Sequence, residues 1–197
     1  MFLNKKVFKR LMTQAYKEGL KVAMSFDGWL YLAGRYWEVS IKKGFIPKET
    51  LGDIIALIGE LPAPGERFSA SKEGNQIEFD SKSEVSLEPF KNKDTLAVTN
   101  IILIGTAGTQ QRILQDKEDG DIYAVNNVFI NIINNAEIME QKGEYAVNEP
   151  FYERCSGVLW MNNVCRLHAA FRMDRKNDKV FEALRGLDIT PEAENEA

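Results

Sequence analysis

Only two cysteines occur among the 197 residues, Cys155 and Cys165, with neither a CxxC spacing nor a second pair. That argues against a disulfide framework and leaves partly buried thiols as the simplest reading. Histidine is scarcer still. Any Ser-His-Asp or Cys-His device would have to use His168, the one histidine. On a strand His168 shares a face with Arg166, Ala170 and Arg172, while Cys165, Leu167, Ala169 and Phe171 form the opposite, core-like face. Long apolar runs are also missing: the stretch around Ile101 to Ile104 is far shorter than the roughly eighteen residues a membrane span needs. The basic N-terminus has no continuous apolar segment with a cleavage site, so a signal peptide is not expected. Together these absences predict a cytoplasmic protein with no membrane partner.

Motifs for phosphate and metal chemistry are absent as well. Gly105-Thr106-Ala107-Gly108-Thr109 follows an apolar run, but it matches neither GxGxxG nor GxxxxGK, and Gln110 to Asp116 reads as a strand rather than a helix. A plain loop is expected there. Asp116, Glu118, Asp119 and Asp121 cluster, yet Gly120 falls where an EF-hand needs a ligand and the flanks read as strands. The expectation is a solvated hairpin tip, with no metal and no cofactor. No carboxylate pair stands out from the 29 acidic residues, so an enzyme is not expected.

What the chain does have is segregated charge. Lys and Arg number 10 against 4 Asp and Glu over residues 1–50, 8 against 17 over residues 51–150, and 7 against 8 over residues 151–197. Segregation of this kind speaks to partners and long-range field rather than to fold. The basic end opens on a helix: Asn4 is a good N-cap, and Phe8, Leu11, Met12 and Ala15 recur at the spacing of one helical face, ending near Gly19. Its other side carries Lys5, Lys6, Lys9, Arg10 and Lys17. Four of these sit in the first two turns, where the helix dipole disfavours cations. Local stability did not select them, which leaves solubility or an anionic partner.

The periodicity then predicts strands over Leu20 to Met24, Trp29 to Ala33 and Trp37 to Lys42, with Gly34-Arg35 as a type II′ connection. Trp29, Tyr31, Tyr36 and Trp37 make this meander aromatic, either a cover for a core or a base-stacking platform. A second helix follows Pro47, with Thr50 and Asp53 in capping-box register and Leu51, Ile54, Ile55 and Ile58 inward. A hairpin turns around Glu73-Gly74-Asn75. Residues 81–95 lose periodicity and read as a linker. Beyond it come a fully buried strand over Leu96 to Ile104, a hairpin around Asp119-Gly120, and a third helix capped by Asn127 with Phe129, Ile132, Ile133, Ala136 and Met139 inward. The β-branched density of Val128 to Ile133 also admits a strand. Strands over 145–148, 158–161 and 164–173 and a short helix over 178–187 complete the second half. The predicted organisation is a first α+β subdomain over 1–80, a linker over 81–95, a second subdomain over 96–187 and a disordered acidic tail over 188–197. The aromatic hairpins at Gly28 to Leu32 and Gly157 to Met161 hint at related halves.

The order MFLN, KKVFKRLMTQAYK, LKVAM, GWLYLA, YWEVSIK, ETLGDIIALIG, RFSASKEGNQIEFD resembles one subdomain of a DNA sliding clamp of the phage and PCNA type, which runs short strand, inner helix, three-strand meander, second inner helix, closing strands. VFINIINNAEIMEQKGEYAV is similar to the crossover of a clamp's last subdomain. The resemblance covers about two-thirds of the chain and rests on pattern rather than on invariant residues. It implies an α+β fold of two related antiparallel halves with helices packed on one face. It further implies a non-enzymatic replication accessory, a homo-oligomer encoded by a bacteriophage, that holds duplex DNA without sequence preference and tethers replication proteins. Lys5, Lys6, Lys9, Arg10 and Lys17 match the DNA-facing role of the inner helices. Asp53 and Glu60 on helix two, and Asn131, Asn134 and Asn135 on helix three, depart from it. The alternative class is a phage-encoded regulator or inhibitor of a host protein acting through an acidic surface.

Overall fold

Helix α1 (Lys5–Glu18) begins where the sequence places its signals. The Asn4 side chain accepts from the Lys6 and Val7 backbone N–H groups at 3.1 and 3.2 Å, satisfying two donors that no helical carbonyl reaches. At the other end Gly19 takes φ 99°, a left-handed conformation that costs other residues free energy. The computed structural model from which these geometries come describes residues 1–77, 94–134, 147, 149–153, 157–172 and 177–191. It is a mixed α and antiparallel β chain, and among the described residues no helix is long and apolar enough to cross a membrane.

Two compact units divide the chain. The first comprises Met1–Pro89 with Ile132–Val147 and Met161–His168; the second comprises Phe90–Asn131, Asn148–Trp160 and Ala169–Ala197. The break between Pro89 and Phe90 falls inside the segment read as a linker, and two later stretches of chain return to the first unit.

In the first unit α1 is followed by the meander β1 (Leu20–Met24), β2 (Trp29–Ala33) and β3 (Trp37–Lys42), then α2 (Lys48–Ile58) and the hairpin β4 (Arg67–Ser71) and β5 (Gly74–Ile77). Sheet order is β5-β4-β1-β2-β3, antiparallel at each step, with β11 (Cys165–Ala170) beside β3. Opposed pairs such as Val22 with Leu32 and Leu32 with Val39 put Leu20, Val22, Met24, Leu30, Leu32, Val39 and Ile41 on one buried face. Phe8 and Met12 of α1 and Ile54 of α2 are fully buried as well, and α1 packs beside β1, β4 and α2. Each such side chain contributes about 1.5–3 kcal/mol of burial. The opening residues are part of this unit: Leu3 bridges Ile133, Asn4 N–H donates to Ile132 at 2.6 Å, and Asn134 N–H donates to Phe2 at 2.7 Å.

Three local expectations are corrected here. Gly34 N–H donates to the Trp37 carbonyl, so Arg35 and Tyr36, not Gly34 and Arg35, form the two-residue connection, and Gly34 does not have positive φ. Glycine is needed there for space: a Cβ would lie 2.5 Å from the Trp37 indole nitrogen and 3.2 Å from the Ala15 Cβ. The capping box is not formed. Pro47 stands at the N-cap of α2, Thr50 is buried within the helix, and Asp53 turns to Lys9. The inward face of α2 is Thr50, Ile54 and Ile58, leaving Leu51 half-buried and Ile55 40% exposed.

The second unit holds a sheet in the order β10-β9-β6-β7-β8, formed by β6 (Asp94–Ile104), β7 (Gln110–Asp116), β8 (Ile122–Asn126), β9 (Phe151–Glu153) and β10 (Gly157–Met161). β6 is not buried throughout. Val98 opposes Leu114 and Ile102 opposes Arg112, so three residues of β6 bulge against Ile113 alone. Thr99 Oγ1 donates to the Ile113 carbonyl at 2.9 Å, and Arg112 spans the bulge with Nη1 to the Thr99 carbonyl at 2.9 Å and Nε to Asn127 Oδ1 at 3.1 Å. Before the bulge Leu96 and Ala97 are buried; after it Ile102 and Ile104 are exposed. Asn127 stands at the start of the third helix as expected, its carbonyl accepting from the Ile130 and Asn131 N–H groups, but its side chain braces Arg112, and Asn126 Oδ1 accepts from Val128 N–H instead. Helix α3 (Val128–Asn131) is one turn long, with Phe129 buried. α4 (Asp178–Leu184) closes the unit. Most of the linker, Asn135, Ala136, Met139, most of the strand expected over 145–148, Cys155 and the tail from residue 192 lie outside the described residues.

Candidate nucleic-acid interface

The apolar face of α1 fixes where its cations point. At 100° per residue, Phe8, Leu11, Met12 and Ala15 centre on one side, and Lys6, Arg10, Thr13 and Lys17 centre on the side opposite. Lys5 and Lys9 fall on the flank between them. The structure separates the five along this line. Lys5 Nζ lies 3.3 Å from Glu49 Oε2 and Lys9 Nζ lies 2.6 Å from Asp53 Oδ1, two rungs from α1 to α2. Both advance by four residues on each helix, so the two helices run in the same direction at this contact. Each exposed pair is worth at most about 1 kcal/mol. The larger consequence is electrostatic, because each lysine, though still exposed, has a carboxylate beside it that offsets its charge.

Lys6, Arg10 and Lys17 remain exposed on the outward face, with Thr13 between them returning its hydroxyl to the Lys9 carbonyl at 2.8 Å. The stripe spans twelve residues from Lys6 to Lys17, about 16 Å of helix axis. These are flexible or planar cations suited to phosphate oxygens, the contacts that position a protein on a duplex without reading its sequence. The pairing of Lys5 and Lys9 was missed from sequence. Its signal was present in the two matched i, i+4 sets, Lys5 with Lys9 and Glu49 with Asp53.

The aromatic meander does not make a stacking platform. Trp37 lies on the helix-facing side of the sheet, its ring centroid 6.2 Å from Phe8 and edge-on to it at 75°. Trp29 and Tyr31 alternate to the other side and are buried; only Tyr36 is exposed, with the Arg35 guanidinium 5.2 Å from its ring. Arg166 lies over Trp29 at 5.1 Å. His168 alternates with buried Cys165, Leu167 and Ala169 as the sequence implies and shares the half-buried side with Arg166. Gly105 N–H donates to the Thr109 carbonyl at 2.7 Å, closing the β6–β7 hairpin as a plain turn. At the other hairpin Asp116 Oδ1 accepts from the Glu118 and Asp119 N–H groups, and among the described residues no cluster is able to hold a metal ion.

Burial raises the Tyr31 hydroxyl to about pKa 12, with Asp27 adding to the shift. The same burial lowers Arg166, opposed by Tyr31 and Asp27. Tyr31 Oη finds no hydrogen-bond partner among the described residues. A tyrosine in the unfolded chain titrates near pH 10, so between about pH 10 and 12 the native state holds a proton that the unfolded state has released. Its contribution to stability is complete below about pH 10 and is lost as pH rises through that window. Tyr31→Phe is therefore expected to flatten the alkaline decline. At neutral pH it should be neutral or stabilising by up to about 1 kcal/mol, since it removes a buried hydroxyl that lacks a partner. Urea midpoints at neutral and alkaline pH check both points; a loss above about 1 kcal/mol at neutral pH would show that the hydroxyl is satisfied after all.

No protein-family model matches the chain, and comparison with curated proteins gives no significant match.

Proposed function

We propose that the protein is a non-enzymatic, clamp-like accessory of DNA replication, encoded by a bacteriophage, which holds duplex DNA through phosphate contacts and tethers a polymerase. The observation that carries this reading is the outward stripe of Lys6, Arg10 and Lys17 on a helix whose opposite face is anchored by four buried apolar residues. Support also comes from the succession in the first unit: a bridged opening segment, helix, three-strand meander, helix and hairpin. That is the order on which the clamp resemblance rests.

Cations on a helix face held away from the core meet the phosphate backbone without penetrating a groove. Binding of that kind is driven by counterion release, is indifferent to sequence and permits sliding. A protein whose task is to hold and slide needs no nucleophile or general base. Its net charge of −4 keeps the remaining surface repelled by DNA, so contact is confined to the basic helix. To encircle a duplex, a chain of this size has to associate head to tail into a closed ring. Native mass spectrometry is expected to give a discrete homo-oligomer of ring size, and light scattering with duplex DNA a complex that dissolves steeply as salt rises. A monomer under native conditions overturns the encircling form, and absence of duplex binding at low salt overturns the reading itself.

A further inference from the structure

On the second unit, the tip of the β7–β8 hairpin and the chain that follows α4 enclose a groove of about 850 Å³. Its lining includes apolar side chains that are open to an occupant, Val98 half-buried and Leu187 exposed, with Leu96 and Pro150 buried behind them. The groove's outer wall, residues 186–191, is fastened by a single buried side chain. Gln115, 3% exposed, donates from Nε2 to the Leu187 carbonyl at 2.7 Å and to the Gly120 carbonyl at 3.2 Å, and its Oε1 accepts from Ile189 N–H at 2.9 Å. Both amide protons and the amide oxygen are thereby used, so the two walls are tied to one strand position. A buried amide left half-satisfied would cost free energy, which makes this fastening specific.

The rim is acidic. Glu118, Asp119, Asp188 and Glu149 line it, and the one lysine of the lining, Lys117, is already engaged by Glu149 at 2.7 Å. Asp188 accepts from the Thr190 N–H and hydroxyl at 3.0 and 2.6 Å, and these bonds hold its carboxyl below the usual range. Three exposed carboxylates, Glu118, Asp119 and Asp188, thus face a volume within the range of sites that take a small molecule or a short chain segment. It is far larger than one ion needs, and the apolar side chains of Val98 and Leu187 would serve no ion. Leu96 N–H is already given to the Pro150 carbonyl at 2.9 Å, so recognition there falls to side chains rather than to a free strand edge.

We propose that this groove docks an extended segment of a partner protein that carries lysine or arginine, its cationic side chains against Glu118, Asp119 and Asp188 and an apolar side chain against Val98 and Leu187. Charge complementarity selects the occupant, and Val98 with Leu187 sets its register. The groove uses no residue of α1, so the inference stands or falls apart from the DNA reading.

The test is fluorescence anisotropy of the full chain with a labelled, unstructured peptide of glycine and serine bearing three lysines and two leucines. Two control peptides replace lysine by glutamate or leucine by serine. The lysine and leucine peptide is expected to bind, both controls at least tenfold more weakly. The combined Glu118→Gln, Asp119→Asn and Asp188→Asn variant should weaken binding at least tenfold, while Lys6→Ala with Arg10→Ala leaves it unchanged. Circular dichroism of the acid-to-amide variant confirms its fold, which those surface changes preserve. Equal binding by that variant overturns the proposal. So does equal binding of the serine-substituted peptide, which would reduce the groove to diffuse charge attraction. Loss of self-association in the acid-to-amide variant, without peptide binding to the parent chain, would assign the groove to a second copy and overturn it as well.

Discussion

Replacing Lys6, Arg10 and Lys17 together by alanine should lower affinity for duplex DNA about 100-fold near physiological salt, and should reduce the slope of log K against log salt by about 2.7. Each phosphate neutralised contributes about 0.9 to that slope, so at about 0.15 M salt each of three contacts is worth about five-fold. The expectation depends on the placement of the three residues opposite the apolar face of α1, where none of the carboxylates of α2 meets them in an ion pair among the described residues. Lys5→Ala with Lys9→Ala should cost much less, because Glu49 and Asp53 already offset those charges. Glu49→Gln with Asp53→Asn should do the opposite and strengthen binding, since two lysines are released from the charges that offset them. Titration of labelled duplex across a salt series reads both quantities. An unchanged slope in the triple variant would sink the assignment of this helix to DNA.

The charge pattern that motivates this experiment was legible in the sequence, and its partition was not. Five cations on one helix follow from composition and a 3.6-residue period. Which of them are neutralised depends on a neighbour 44 residues away, at a contact that periodicity within one element does not specify. The same division runs through the fold. Asn4 and Gly19 set the ends of α1 because capping is a local matter of a few backbone groups. The alternation of β1 and β3 was readable because each has a buried face, whereas β2, buried on both sides, was readable as an aromatic and apolar run between Gly28 and Gly34. By contrast, the bulge in β6 arises from Thr99, Arg112 and Asn127 acting on one another across strands, and it turns the second half of an apolar run outward. The place of Asn127 at the start of a helix was readable; the turning of its side chain to Arg112 was not. The return of residues 161–168 to the first unit is likewise a pairing of distant segments, which a short apolar run announces without naming its partner.

Phe8→Ala should be the most damaging single substitution in the first unit, costing about 3–5 kcal/mol. Phe8 has no exposed surface and meets the Trp37 ring edge-on at 6.2 Å, a geometry that adds to simple burial. What places the cost toward the upper end is the inability of the site to collapse. Trp37 is held from behind by Gly34, where even a methyl group would lie 2.5 Å from the indole nitrogen, and Ala15 of α1 closes the same side. The cavity therefore persists, and cavities that persist carry the larger penalty. Ile55→Ala is the control, because the sequence pattern places Ile55 inward while the structure leaves it 40% exposed, so its loss should fall within about 0.5 kcal/mol. Tryptophan fluorescence during urea unfolding follows both variants, as Trp37 sits beside the altered site. Equal costs for Phe8→Ala and Ile55→Ala would mean that α1 and α2 do not seat on the sheet as described. The basic stripe would then lose the anchor that directs it outward, and the DNA reading would lose its geometric basis.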